Sequence, residues 1–142
     1  LNARLGPRVM VTPMVDNPGV EMVLGLVHDE QFGPLVMLGF GGINVETTRD
    51  VAYALPPFGR ATARRLVDSL KLRPLLDAQR DRPALDVDAF CQAAERFSRM
   101  AAALAGVLDE ADVNPVVVTP NGCVALDALV VGRQPSPSDN PG

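Results

Sequence analysis

Apolar and polar positions fall into three regimes along this chain. Over the first third they come in short bursts. Val9 to Val15 (VMVTPMV) is apolar and β-branched and predicts a strand. Val20 to His28 (VEMVLGLVH) predicts a second, after the turn cluster Asp16-Asn17-Pro18-Gly19. Leu35 to Gly39 predicts a third, after a turn over Asp29 to Pro34, and leads into Gly39-Phe40-Gly41-Gly42 and then Ile43 to Glu46. Val51 to Leu55 predicts one more strand, stopped by Pro56-Pro57. In the middle the period changes to that of a helix. Ala63, Leu66, Val67 and Leu70 form one apolar face over Ala61 to Leu72, with Pro74 as its end. Phe90, Ala94, Phe97, Ala101 and Leu104 form another, with Asp88 as the expected N-cap and Gly106 as the stop. The opposite face of that helix carries Gln92, Glu95, Arg96 and Arg99. Strands then return: Pro115 to Thr119 and Cys123 to Val131 flank Pro120-Asn121-Gly122, a hairpin signal because Asn and Gly tolerate positive φ. Strands, helices and a closing hairpin predict an α+β fold, a mainly antiparallel sheet with helices packed on one face. The folded unit is expected over residues 1–132. The polar, proline-rich tail at 133–142 is expected to be disordered.

Composition narrows the function classes. The 142 residues fit one domain with its own core. The first residue is Leu1, so a piece of a longer chain is expected. The net charge of −4 and the absence of tryptophan argue against nucleic-acid binding. No apolar run approaches the ~20 residues of a membrane helix, and no membrane partner is expected. His28 is the only histidine, and Cys91 and Cys123 lack metal-ligand spacing, so a zinc site or a self-contained triad is a poor fit. Both cysteines read as reduced and structural, which makes a cytoplasmic location the expectation.

Three groups could carry chemistry. Met22, Leu24 and Leu26 share one face of their strand, while Glu21 shares the other with Val23, Gly25 and Val27. A carboxylate there either reaches solvent at the sheet edge or accepts hydrogen bonds from a ligand's hydroxyls. Gly39-Phe40-Gly41-Gly42, with Glu46 and Asp50 nearby, is either a bulge or turn, or a place where backbone N–H groups crowd an anion. The third group is Asp112, Asn114 and Asp127. Asp112 and Asn114 lie two apart on one strand face, and the hairpin brings Asp127 back toward them. Three such oxygens suit Mg2+. The alternative is a turn-capping Asp112 and a lone edge carboxylate at Asp127.

Glu21 in GVEMVLGLVHDEQFGPLVMLGFGGINVE, Asp112 to Pro115 in ADVNPVVV, and Asp127 in VALDAL together resemble the ATP-grasp subunit or domain of the NDP-forming acyl-CoA synthetases. The likeness runs from about Val9 to Val131; the succinyl-CoA synthetase β chain is more distantly similar. This resemblance implies the C-terminal ATP-grasp lobe, with a hinge strand near residues 9–15. It implies ATP or ADP and Mg2+ as ligands, with adenine on the backbone of Thr12, Pro13, Met14 and Val15 and the ribose on Glu21. Asn114 and Asp127 match the metal positions, with Asp112 in or near that shell. Gly41, Gly42 and Glu46 resemble the phosphate-side loop. No catalytic residue is assigned within this chain.

The partners implied are an N-terminal ATP-grasp lobe bearing a phosphate-binding lysine, CoA-binding domains, acyl-CoA and phosphate. The isolated chain is expected to be inactive and to self-associate into a homo-oligomer through its exposed hinge face. The implied reaction converts acyl-CoA, ADP and phosphate reversibly to acid, CoA and ATP, through a phosphohistidine outside this chain. The sequence departs from the family pattern at Ala54, at Ala78-Gln79-Arg80-Asp81, and at Asn44, Thr47 and Thr48. These departures motivate an alternative: a non-catalytic regulatory nucleotide-binding domain of a larger, GNAT-type acetyltransferase.

Overall fold

The computed structural model describes residues 11, 13, 14, 19–42 and 50–134. Its elements run β1 (Val20–Asp29), β2 (Gly33–Phe40), β3 (Val51–Ala54), α1 (Arg60–Asp68), a 3-10 turn (Arg73–Leu76), α2 (Val87–Leu104), β4 (Leu108–Thr119), β5 (Gly122–Ala125) and β6 (Ala128–Gly132). The strands form one antiparallel sheet in the order β3-β2-β1-β4-β5, and β6 also pairs with β4. The two helices among the described residues lie on the same face, α2 against β4, β2, β5 and β1, and α1 against β2 and β3. The α+β architecture expected from the sequence is the one observed.

The two-residue alternation in β1 explains the layering. Met22, Leu24 and Leu26 point into the core, where they meet Val36, Leu38 and Phe40 of β2 and the α2 residues Phe90, Cys91, Ala94 and Phe97. The tight turn into β2 follows from its residues. The Asp29 Oδ1 accepts the N–H groups of Gln31 and Phe32 at 2.8 and 2.9 Å, and Gly33 takes φ +76°. Buried polar groups are satisfied. The Asp50 carboxylate accepts from the Lys71 and Leu72 N–H groups at 2.9 and 2.7 Å, tying the start of β3 to the chain after α1. The Ser98 hydroxyl accepts from the Phe58 N–H at 3.1 Å and so fastens α2 to the segment after the cis Pro56-Pro57 bond.

Several boundaries differ from the sequence expectation. The first helix ends at Asp68, with Ser69 as its C-cap, and not at Pro74. Pro74 instead opens the separate 3-10 turn, where its missing N–H is not needed. The cap of α2 is Asp86, whose carboxylate accepts from the Ala89 N–H at 3.0 Å. Asp88 lies one position inside the helix and pairs with Arg60 at 3.2 Å. Gly106 lies beyond the C-cap, Ala105, and does not adopt positive φ. The hairpin loop is Pro120-Asn121, because Thr119 pairs with Gly122, at which φ is +135°. Of the strand expected at 9–15, Val11, Pro13 and Met14 are described; they are exposed and belong to no strand. Pro13 has no N–H to give to a ladder. Arg133 donates its N–H to the Val107 carbonyl at 2.7 Å and pairs with Asp109 at 2.9 Å; the tail after Gln134 lies outside the described residues. Among the described residues no helix is long and apolar enough to cross a membrane.

The two thiols should separate cleanly in a labelling experiment. Cys91 is fully buried on the sheet-facing side of α2, and burial pushes its thiol up to about 11. Only the thiolate reacts, so at pH 8 roughly one Cys91 in a thousand is in the reactive form. Cys123 is half-buried. Iodoacetamide at pH 8 is expected to modify Cys123 alone in the folded protein, and both cysteines after denaturation, as read by intact mass. Rapid modification of Cys91 in the folded state would contradict the packing described.

Candidate functional site

The sheet face away from the helices carries the polar residues singled out above. Glu21, Val23, Gly25 and Val27 alternate along it on β1. Asp112 pairs with Gly25 across the ladder, and Val117 pairs with Glu21. Between these two pairs the register slips. Leu24 faces Val113 but Met22 faces Val116, so Asn114 and Pro115 together oppose Val23. Asn114 shares the face of Asp112 by ordinary alternation, and the β-bulge, by adding Pro115, returns Val116 to the core side opposite Met22. The Asn114-Pro115 bond is cis.

The bulge also interrupts the strand on the far side of β4. The sequence pattern predicted one strand from Cys123 to Val131. The structure splits it into β5 and β6, with Leu126 and Asp127 between them. Pro115 offers a carbonyl but no N–H. Its carbonyl accepts from Leu126 N–H at 2.9 Å, and Asn114 N–H donates to the Asp127 carbonyl at 3.1 Å. Asp127 therefore sits opposite Asn114. One of its carboxylate oxygens, Oδ1, accepts from the Ala128 N–H at 2.8 Å.

Glu21 and Asn114 are brought together by the glycine pair after β2. Gly41 donates its N–H to the Glu21 carbonyl at 2.8 Å. A Cβ on Gly41 would stand 3.1 Å from the Met22 carbonyl oxygen and 3.3 Å from Asn114 Oδ1. A Cβ on Gly42 would press on the Glu21 carboxylate, and Gly42 has φ +69°. Each glycine thus fixes how closely a neighbouring functional side chain can approach. Gly42→Ala is expected to lose ~1–2 kcal/mol from its left-handed backbone and to push Glu21 aside as well. Gly33→Ala has the same backbone problem at φ +76° but open space around the added methyl. The exposed end of Glu21 can swing away cheaply, so thermal unfolding should show similar losses for the two, while only Gly42→Ala displaces the Glu21 carboxylate. A much larger loss for Gly42→Ala would mean that Glu21 is held rigidly in place.

The electrostatics match the geometry. Burial, reinforced by the negative charges of Glu110 and Asp127, pushes the Asp112 carboxyl above its ordinary value. Among the described residues no three His, Cys, Asp or Glu side chains gather in a metal-sized group; the oxygens nearest the bulge are the two carboxylates of Asp112 and Asp127 and the Asn114 amide. Hard oxygen donors in that number suit Mg2+, which binds through one or two carboxylates and keeps waters and phosphate for its other positions.

The structure brings together Glu21, Gly41, Gly42, Asp112, Asn114 and Asp127. Pro13 and Met14 are exposed, while Thr12, Val15 and Glu46 lie outside the described residues. Asp50 is taken up by backbone N–H groups and is not open to a ligand. Two contributors were missed in the sequence. Gly25 leaves room beneath Asp112, whose Oδ1 would stand 3.6 Å from a Cβ there. Pro115 makes the bulge. The available signals were a glycine in the middle of an apolar strand and a proline inside a β-branched run.

Comparison with known proteins gives a consistent picture. The model of the ATP-grasp domain matches residues 3–131. The β subunit of Acetate–CoA ligase [ADP-forming] II from Pyrococcus furiosus is 33% identical over 125 residues, covering 87% of this chain and 52% of that subunit. Acetate–CoA ligase [ADP-forming] I from Archaeoglobus fulgidus is 35% identical over 127 residues, covering 89% of this chain and 18% of that enzyme. Among solved structures, a dinucleotide-forming acetyl-coenzyme A synthetase 1 from Ca. Korarchaeum cryptofilum, in complex with coenzyme A and Mg-AMPPCP, superposes with a TM-score of 0.76 at 35% identity. That match covers 82% of this chain and 55% of the other. The chain thus spans about half the length of the Pyrococcus subunit it matches.

Proposed function

This chain belongs to the ATP-grasp domain family, and on that premise we propose that it supplies the nucleotide- and Mg2+-binding half of an ADP-forming acyl-CoA synthetase. The observation that carries this reading is the gathering of Asn114, Asp127 and Asp112 around the bulge at Pro115, beside Glu21. In this role Asn114 and Asp127 hold Mg2+, with Asp112 next to them. Glu21 accepts hydrogen bonds from the ribose hydroxyls. The backbone of Thr12, Pro13, Met14 and Val15 reads the adenine edge, and Gly41, Gly42 and Glu46 line the phosphate side. Bound Mg2+ neutralises phosphate charge during phosphoryl transfer. The chain's own contribution is to orient the nucleotide and to hold oxygen ligands at a fixed separation on a rigid sheet. Its similarity to ligases that run about twice its length or more supports separate partner elements: the other ATP-grasp lobe and the CoA-binding domains.

The test is ATP formation from acetyl-CoA, ADP and phosphate. The chain joined to its companion lobe and CoA-binding domains is expected to turn over only with Mg2+, and the 142-residue chain alone not at all. Saturable MgADP binding by the joined protein without any ATP formation would replace this reading with a regulatory nucleotide-binding domain.

A further inference from the structure

Among the described residues, two helices pack on one face of the six-stranded sheet and leave part of it open. A cavity of about 620 Å3 opens between α2 and the β4–β5 hairpin, on the opposite side of the sheet from Glu21 and Asn114. Leu24 and Val116 form its floor, Phe97 and Met100 line it from α2, and Cys123 from β5. The room comes from small residues: Ala93 on the helix side, Gly122 and Ala125 on the strand side. Its volume lies within the ~300–1,000 Å3 of small-molecule sites.

Arg96 is the one charged residue lining this cavity among the described residues. Among the described residues it has no ion-pair partner, whereas the other α2 arginine, Arg99, pairs with Glu95 at 2.7 Å. Its own helix cannot supply a partner, because the residues three and four positions away are Gln92, Ala93, Arg99 and Met100. An apolar trough with an exposed guanidinium at its rim, unpaired among the described residues, complements an apolar body ending in a carboxylate, which a guanidinium can grip with two parallel hydrogen bonds. We propose that the α2–β5 cavity binds a medium-chain monocarboxylate, its aliphatic chain over Leu24 and Val116 and its carboxylate on Arg96. The site is separate from the nucleotide-binding reading and does not depend on it.

The probe is decanoate, titrated into the 142-residue chain and followed by backbone amide chemical shifts. Saturable one-to-one shifts centred on Ala93, Met100 and Cys123 are expected, with 1-decanol binding at least fivefold more weakly. Arg96→Glu should weaken decanoate at least tenfold, and Arg99→Glu by less than twofold. Ala93→Phe should block binding by filling the cavity. Should that variant fail to fold, the arginine pair, both surface substitutions, still decides the question. Shifts scattered over the exposed sheet face, equal losses for the two arginine variants, or equal affinity for decanol would each overturn the proposal. So would shifts at these residues that follow protein concentration and not decanoate, which would assign the groove to a second copy of the chain.

Discussion

Asp127→Ala is expected to weaken Mg2+-dependent binding of ADP by ~100-fold or more in the assembled enzyme, with ATP formation falling in step. Loss of a residue that merely supports a metal ligand commonly costs ~10–100-fold, and removing a ligand should cost at least as much. Asp127 also carries local geometry, since its Oδ1 holds the Ala128 N–H at the start of β6. Asp127→Asn keeps an oxygen for that hydrogen bond while removing the charge, so it should bind more weakly than wild type but retain the fold. Asn114→Ala should behave like Asp127→Ala, and Asp112→Ala should show a smaller loss. Glu30→Ala, in the exposed turn at the far end of β1, should change nothing. Without Mg2+, wild type and Asp127→Ala should bind ADP equally weakly. Calorimetric titration with and without Mg2+ reads all of these. Binding by Asp127→Ala within twofold of wild type would remove the metal role from this residue.

Phe90→Ala is expected to have the largest effect on the fold. Phe90 is fully buried, on the α2 face that meets the sheet. Deleting a buried phenyl ring typically costs ~3–5 kcal/mol, through lost transfer energy and the cavity left behind. Domains of this size hold only about 5–15 kcal/mol in total. The midpoint of thermal unfolding should drop by roughly 10–25 °C. Phe32→Ala removes the same ring from an exposed turn position and should stay within about 0.5 kcal/mol of wild type. Similar midpoints for the two variants would show that α2 does not anchor the core.

The core was legible because its signals are redundant. In β1 the two-residue alternation and the turn chemistry on either side agree, and in α2 Phe90, Ala94, Phe97 and Ala101 fall on one buried face, whereas Leu104, expected on it, is exposed at the helix end. The boundaries were less legible where two residues could play one part. Asp86 and Asp88 both precede the apolar run of α2, and only the position of Ala89 N–H selects Asp86 as the cap. The start of β4 carried no strand signal of its own. Asp112 and Asn114 read as sharing a strand face, but Leu108 to Ala111 were assigned to no strand and become one because β1 and β6 pair with this stretch from both sides. At the candidate site, the residue types of Glu21, Asn114 and Asp127 were visible, and so was the return of the hairpin. The device that aligns them was not. A bulge shifts register by one residue, and no periodicity in the chain reports where the extra residue will be placed.

On the proposed reading, the split between β5 and β6 ties cation binding to local order. β6 is exposed at every residue and is held to the sheet by β4 alone, so it is the strand whose detachment disturbs the core least. Asp127 stands at its entrance. Were β6 to detach, Asp127 would leave the proposed cation site while the helix-covered core stayed shut. The apparent affinity for a divalent cation is then the intrinsic affinity scaled by the fraction of time β6 is docked. By the same linkage, an ion held between Asn114 and Asp127 would act as a clasp on the last strand of the sheet.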